Sequence, residues 1–319
     1  MFGRKKNKDA EKMPSYSVVE DKSVEDISAN LEMESMKLSE IIKKEKIKEN
    51  FEDASSPTVE LYREPHVINI GLESNIGMRK YQQDSAIAST DSQEAGKACK
   101  KTIAILCDGM GGMENGEIAS NYCTSLIYND FISEDIKDYM KFLKDEAFKV
   151  DDYVSRLVGD DGSPINAGST LVAVIIENNK LFWISVGDSR IYIIRDDKII
   201  QATTDHNYFM VLMEDVKAGK ITLEEAQSHK DKEALVSYIG MGGLEYIDVN
   251  KKPLILEPDD YVILCSDGLY RSVDEDVIKY ITVQNGDNTE LAAEQLVEQA
   301  LSKRYKNQDN TSVIVMKYN

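Results

Sequence analysis

Residues 169–202 read STLVAVIIENNKLFWISVGDSRIYIIRDDKIIQA, and this stretch decides the fold class. It contains apolar, β-branched runs at Ser169–Ile176, Leu181–Val186, Arg190–Arg195 and Lys198–Ala202. Their lengths and Val/Ile content suit strands. The connectors Glu177-Asn-Asn-Lys180 and Arg195-Asp-Asp-Lys198 read as hairpin turns. Connectors this short permit antiparallel pairing only, because a parallel crossover needs a dozen or more residues. Apolar residues stand on successive positions, so both faces of these strands should be covered.

Further strand-like runs lie at Val67–Leu72, Ser85–Ser89, Thr102–Cys107, Tyr261–Cys265 and Thr311–Lys317. Helical stretches come in pairs, near Gly116–Phe131 with Glu134–Val158 and near Asp274–Ile281 with Thr289–Tyr305. A smaller helical insert spans about Tyr208–Ser228, where Thr222-Leu-Glu-Glu225 has the form of a capping box. Grouped helices among antiparallel strands predict an α+β fold, with two packed sheets as one solution.

Residues 1–65 differ in character, carrying 12 Lys/Arg and 15 Asp/Glu with few apolar clusters. Val24, Ile27, Leu31, Leu38 and Ile41 share one seam, interrupted by Glu34, Glu45 and Lys48. This predicts a charged N-terminal extension, helical or disordered, joined by Ala54-Ser-Ser-Pro-Thr58 to a domain over 66–319. The 319-residue chain has a net charge of −19, which provides no general electrostatic footprint for nucleic acid. No apolar run is long enough to span a bilayer, and Met-Phe-Gly-Arg-Lys-Lys lacks the apolar segment of a secretory signal. Cys99, Cys107, Cys123 and Cys265 form no C-x-x-C pair and read as reduced thiols of a cytoplasmic protein.

The chemistry is suggested by where aspartates fall. Asp108, Asp188 and Asp267 each follow a strand-like run, while Asp84 and Asp309 each precede one. In antiparallel sheets the end of one strand lies beside the start of its neighbour, so these five carboxylates would meet at one rim. Any single one also reads as a turn or cap residue. Gathered together they would repel unless cations neutralised them, and hard divalent ions prefer oxygen ligands. Asp108-Gly-Met-Gly-Gly112 is a tight turn whose Gly109 carbonyl would reach a metal. No P-loop, H-E-x-x-H, G-x-S-x-G or Cys-x5-Arg pattern occurs, and His206 reads as structural. Metal-activated water remains, with Arg79 as the candidate phosphate holder.

Taken in order, these residues resemble the protein phosphatase 2C family, the metal-dependent serine/threonine phosphatases, in its bacterial form. Gly77-Met-Arg-Lys-Tyr-Gln-Gln-Asp84 resembles the family's G-x-R-x-x-N-Q-D motif. Asp108-Gly-Met-Gly-Gly112 and Gly116-Glu-Ile-Ala-Ser120, Gly168-Ser-Thr-Leu-Val172, Val186-Gly-Asp-Ser-Arg190 and Thr204-Asp-His206 follow the same pattern. So do Ile221–Ala226 with His229, Ser266-Asp-Gly-Leu269 and Asp309-Asn310. The resemblance covers about residues 66–319.

It implies a four-layer α/β/β/α sandwich of two antiparallel sheets flanked by helix pairs. It implies two or three manganese or magnesium ions, one held by Asp108, Asp267 and Asp309. A second would be held by Asp108 and the Gly109 carbonyl, with Asp84 nearby, and a third and weaker one by Asp188. Arg79 would grip the substrate phosphate, and a metal-bridging water would attack phosphoserine or phosphothreonine. The implied partners are phosphorylated proteins and a Ser/Thr kinase that the enzyme opposes, with no nucleic acid, no membrane insertion and a monomeric state.

Four positions depart from the pattern: Met110 replaces a histidine of animal relatives, Gln83 replaces a metal-binding glutamate, Arg271 stands where several relatives have an acid, and Gln82 replaces the usual Asn without consequence. A cation at 271 would weaken the third metal site or substitute for its charge. A non-catalytic binding module and a two-metal phosphoesterase of small phosphates are the other readings compatible with the residues.

Overall fold

A computed structural model of the chain describes residues 44, 48, 66–91, 99–110, 115–159, 161–303 and 306–319. The predicted seam at 24–41, the linker at 54–58 and the Gly111-Gly112 pair lie outside the described residues. Among the described residues, no helix is long and apolar enough to cross a membrane.

Eleven strands and seven helices are described. The strands are β1 (Ile68–Asn75), β2 (Asp84–Thr90), β3 (Lys101–Asp108), β4 (Leu171–Glu177), β5 (Lys180–Val186), β6 (Arg190–Arg195), β7 (Lys198–Gln201), β8 (Asp248–Val249), β9 (Leu254–Ile255), β10 (Tyr261–Cys265) and β11 (Thr311–Tyr318). The helices are α1 (Gly116–Ser133), α2 (Tyr139–Ser155), α3 (Tyr208–Lys217), α4 (Leu223–Ser228), α5 (Asp267–Tyr270), α6 (Glu275–Asn285) and α7 (Thr289–Ser302). One sheet has the order β1-β11-β10-β6-β7 and the other β2-β3-β4-β5-β8, with β9 also on β5. Every named strand pair is antiparallel.

The successive apolar residues are explained by burial on both faces. On β3, Ile103, Ile105 and Cys107 pack with α1 and α2, whereas Ala104 and Leu106 enter the core between the sheets. On β11, Val313 and Val315 pack with α6 and α7, whereas Ile314, Met316 and Tyr318 face the opposite sheet. The three apolar layers thus give helix pair, sheet, sheet, helix pair, the architecture expected from the sequence. The β6–β7 hairpin turns on Asp196 and Asp197, at φ 50° and 58°, as a two-residue turn between right-twisted strands requires.

Differences from the sequence reading are local. The second helix was expected to start at Glu134, but it starts at Tyr139, where Asp138 caps it by accepting a bond from Lys141 N at 3.0 Å. The helix expected to stop at Ile281 runs to Asn285 and ends at Gly286, whose φ of 56° suits glycine. The insert holds two helices, α3 and α4, and the second opens on the predicted Thr222/Glu225 capping box. The two-residue strands β8 and β9 and the one-turn helix α5 are too short to carry a periodic signal.

Candidate active site

Strand ends place the carboxylates. Asp84 opens β2 directly opposite Asp108, which closes β3 in the same ladder. Cys265 pairs with Val313 on the other sheet, so Asp267, just after β10, and Asp309, just before β11, fall at one end of that sheet. Asp188 lies in the turn between β5 and β6, and Arg190, the first residue of β6, pairs with Cys265. The two sheets thus contribute acids to a shared rim, and the five predicted aspartates come together there. Asp108 lies at the centre: burial, then the charges of Asp84, Asp267, Asp188 and Asp309, hold its carboxyl well above the usual range.

The neighbouring acids show the same strain. Burial pushes Asp84 up to about 6, an effect that Ser312 and Ser266 oppose by hydrogen bonding and Asp309 reinforces. Burial also pushes Asp267 up to about 6, opposed by Arg271 and reinforced by Asp309 and Asp84. Among the described residues, Oδ1 of Asp84 and Oδ1 of Asp267 are sealed from solvent and meet no hydrogen-bond partner. Sealed carboxylate oxygens without donors, beside other carboxylates, are a donor set suited to hard divalent cations. The acids are not closed into a ready cage: among the described residues, no three His, Cys, Asp or Glu side chains already surround one point. Arginines hold two of them instead, with Arg79 Nη2 on Asp309 Oδ2 at 2.6 Å and Arg271 Nε on Asp267 Oδ2 at 3.1 Å.

The supporting bonds come from residues to which the sequence reading gave no role. Ser266 Oγ donates to Asp84 Oδ2 at 2.9 Å and accepts from Ser312 N at 3.0 Å. Thr170 Oγ1 accepts from Asp108 N at 3.0 Å, and Ser169 Oγ donates to Asp108 O at 3.0 Å. The Gly168-Ser-Thr170 motif therefore fixes the backbone of the central acid. Asn310 Oδ1 accepts from Gln83 N at 2.8 Å, while its Nδ2 donates to Ile76 O at 2.8 Å and Tyr81 O at 3.1 Å. One amide thus ties down the 76–83 loop that carries Arg79. These residues flank the aspartates within the quoted motifs, and that adjacency was the only sequence signal they gave.

Glycines let backbones approach. A Cβ on Gly77, at φ 60°, would lie 2.3 Å from Asp309 O. One on Gly109 would lie 2.4 Å from Gly116 O and 2.6 Å from Gln83 O. Gly109 N donates to Gln83 O at 3.0 Å, which anchors the turn after β3 beside Asp84. His206 is structural, as its motif suggested: it is buried, and its Nδ1 accepts from Gly187 N at 3.2 Å. Burial lowers its pKa.

Comparison with known proteins agrees with this architecture. The model of the family "Protein phosphatase 2C" matches residues 68–209. Protein phosphatase PhpP of Streptococcus pneumoniae serotype 2 is 32% identical over 192 residues, covering 58% of this chain and 74% of that protein. The serine/threonine phosphatase stp of Listeria innocua is 29% identical over 228 residues, covering 69% and 86%. Among solved structures, the Mycobacterium tuberculosis serine/threonine phosphatase PstP/Ppp superposes with a TM-score of 0.64 at 26% identity, covering 79% of this chain and 98% of that one. The catalytic domain of PstP in complex with two manganese ions superposes with a TM-score of 0.61 at 25% identity, covering 79% and 99%.

Proposed function

The chain belongs to the protein phosphatase 2C family, and from that premise we propose that its acidic rim is the centre of a metal-dependent phosphoprotein phosphatase acting on phosphoserine and phosphothreonine. The observation that carries the reading is the pair of sealed, donorless oxygens on Asp84 and Asp267 beside Asp108 and Asp309. Asp108, Asp267 and Asp309 would hold one manganese or magnesium ion, and Asp108 with the Gly109 carbonyl would hold a second, with Asp84 alongside. When bound, such ions supply a nucleophilic water of lowered pKa and neutralise charge on the phosphoryl group.

The chain's own residues do the rest. Ser266 fixes one oxygen of Asp84, leaving the other without a donor. Thr170 and Ser169 hold the Asp108 backbone against displacement. Arg79 exchanges Asp309 for the substrate phosphate, which offers its planar fork two oxygens. Met110 stands where animal relatives carry a histidine and His206 is engaged in the fold, so we assign the proton taken up by the leaving alkoxide to water.

By the same reading the phosphatase domain spans 66–319, residues 1–65 form an extension to it, and the enzyme opposes a Ser/Thr kinase as a cytoplasmic monomer. The functional names of the Streptococcus and Listeria relatives support the phosphatase assignment. The test is phosphate release from a phosphothreonine peptide, with manganese, with chelator, and with Asp267→Asn. Release that needs manganese and is abolished by the substitution is expected. Equal turnover in chelator would refute the metal mechanism, and hydrolysis of nucleotides in preference to phosphopeptides would refute the substrate class.

A further inference from the structure

Arg271 has no part in the reaction described above, yet its guanidinium meets three carboxylates through three different nitrogens. Nε reaches Asp267 Oδ2 at 3.1 Å, Nη2 reaches Asp188 Oδ2 at 3.3 Å, and Nη1 reaches Glu233 Oε2 at 2.9 Å. Asp188 is the acid at which the resemblance would place a third divalent ion, and the charge of Asp267 acts on it. The backbone sets this placement. Arg271 is the C-cap of α5, its N donating to Asp267 O at 3.0 Å, so its side chain rises beside an acid one helical turn earlier. Tyr270, from the same turn, donates its hydroxyl to the same Asp188 Oδ2 at 3.3 Å. That ring lies under the Arg190 guanidinium, 3.6 Å from carbon to centroid, and Arg190 is held by Asp205 at 3.0 and 2.7 Å. The lone pairs that a third ion would need are thus facing a fixed positive charge and a phenol.

We infer that the Arg271 guanidinium is the resident cation of this subsite: it neutralises Asp188 and Asp267 in place of a third divalent ion, and through Glu233 it fastens the loop after α4 to the active-site rim. The inference rests on the two-cation reading of Asp84, Asp108, Asp267 and Asp309. Arginine stays protonated throughout the accessible pH range and cannot be chelated, so this charge is permanent where a metal would exchange. A divalent ion admitted between Asp188 and Asp267 would stand against the guanidinium at contact distance and would be repelled. A lone exposed ion pair would hold little, but here one planar group satisfies three acids from α5, the β5–β6 turn and the loop after α4. Occupancy of this corner, and attachment of that loop, therefore do not depend on metal concentration.

The test is equilibrium dialysis of the full chain against manganese, with bound metal counted by atomic emission and folding checked by circular dichroism. Two ions per chain are expected for the wild type and for Arg271→Lys, which keeps a cation. Three are expected for Arg271→Asp and for Arg271→Ser, the latter removing the cation without adding an acid. Three ions in the wild type, or two in both folded Asp and Ser variants, would overturn the proposal. Fewer than two in the wild type would overturn the two-cation centre itself, a distinct failure that takes this inference with it. Limited proteolysis reads the second half. Cleavage in 229–236 should proceed at the same rate with manganese or chelator, and about two- to fivefold faster in Glu233→Gln, as loss of one exposed pair allows. Wild-type cleavage rates in Glu233→Gln would remove the fastening role.

Discussion

Asn310→Ala gives the most direct test of how the site is held. The Asn310 side chain is 3% exposed and makes three hydrogen bonds, all to backbone groups of the loop that carries Arg79. Alanine removes all three and leaves Gln83 N, Ile76 O and Tyr81 O to find other partners. At about 1 kcal/mol net per bond the loss is about 3 kcal/mol, and more where the freed groups stay buried. For a domain of this size each kcal/mol moves the melting temperature by about 2–4 °C, so a fall of about 6–12 °C is expected. The same change loosens Arg79. If Arg79 grips the phosphate in both ground and transition states, as proposed, KM for a phosphopeptide should rise by about tenfold while kcat changes less. Thermal unfolding by circular dichroism and steady-state kinetics read the two effects. The decisive comparison is the double variant with Arg79→Ala. If the loop acts through Arg79, the KM effect of Asn310→Ala should nearly vanish in that background. A melting temperature within 2 °C of wild type, or KM effects that multiply in full, would refute this account.

Asp84 and Asp267 titrate near 6 in the fold against an ordinary 3.8, so the stability tied to their protonated forms is present below pH 4 and lost as pH rises through 6. Manganese relieves that loss, and calorimetry should show the melting-temperature gap between manganese- and chelator-treated protein widening from pH 5 to pH 8; a constant gap would refute the linkage. Ser266→Ala removes a donor that favours ionised Asp84, so manganese affinity by isothermal titration should fall by about tenfold at pH 6 and less at pH 8. Thr170→Val keeps the shape but orphans Asp108 N, and chemical denaturation should register a loss of about 1–3 kcal/mol together with weaker metal binding.

Much of the sandwich was legible because strands covered on both faces leave continuous apolar runs, and short polar turns between them exclude crossovers. Tyr261–Cys265 and Arg190–Arg195 keep the same bounds in sequence and structure. Helix ends were less legible, because a cap such as Asp138 competes with neighbouring polar residues and only geometry selects it. The acids themselves stood out by their repeated position at strand ends. The residues that hold them did not, because a serine such as Ser266 looks the same in sequence whether its hydroxyl meets water or, across 182 positions, an aspartate. Glu233 gave no signal at all: its contact with Arg271 joins a loop to a helix cap 38 residues away.

The rim is electrostatically unfavourable by construction, and its position follows from that. Five carboxylates in mutual reach oppose folding at neutral pH, so they need a scaffold whose geometry does not yield to their repulsion. Two strand ladders provide it: Asp84 and Asp108 are locked opposite each other by the β2–β3 register, while Asp267 and Asp309 are set by the β10–β11 register. Loops alone would let the acids spread apart and relax. The same argument explains the arginines. Arg79 and Arg271 each reach the cluster from the solvent side, where a guanidinium that stays partly exposed offsets charge while keeping some of its hydration. They nevertheless differ in consequence. Among the described residues, Arg79 has one carboxylate partner there and can leave it for a phosphate, whereas Arg271 has three, on three separate segments, and its departure would break all three contacts at once. That asymmetry is the ground on which we propose the first as a substrate contact and the second as a resident cation.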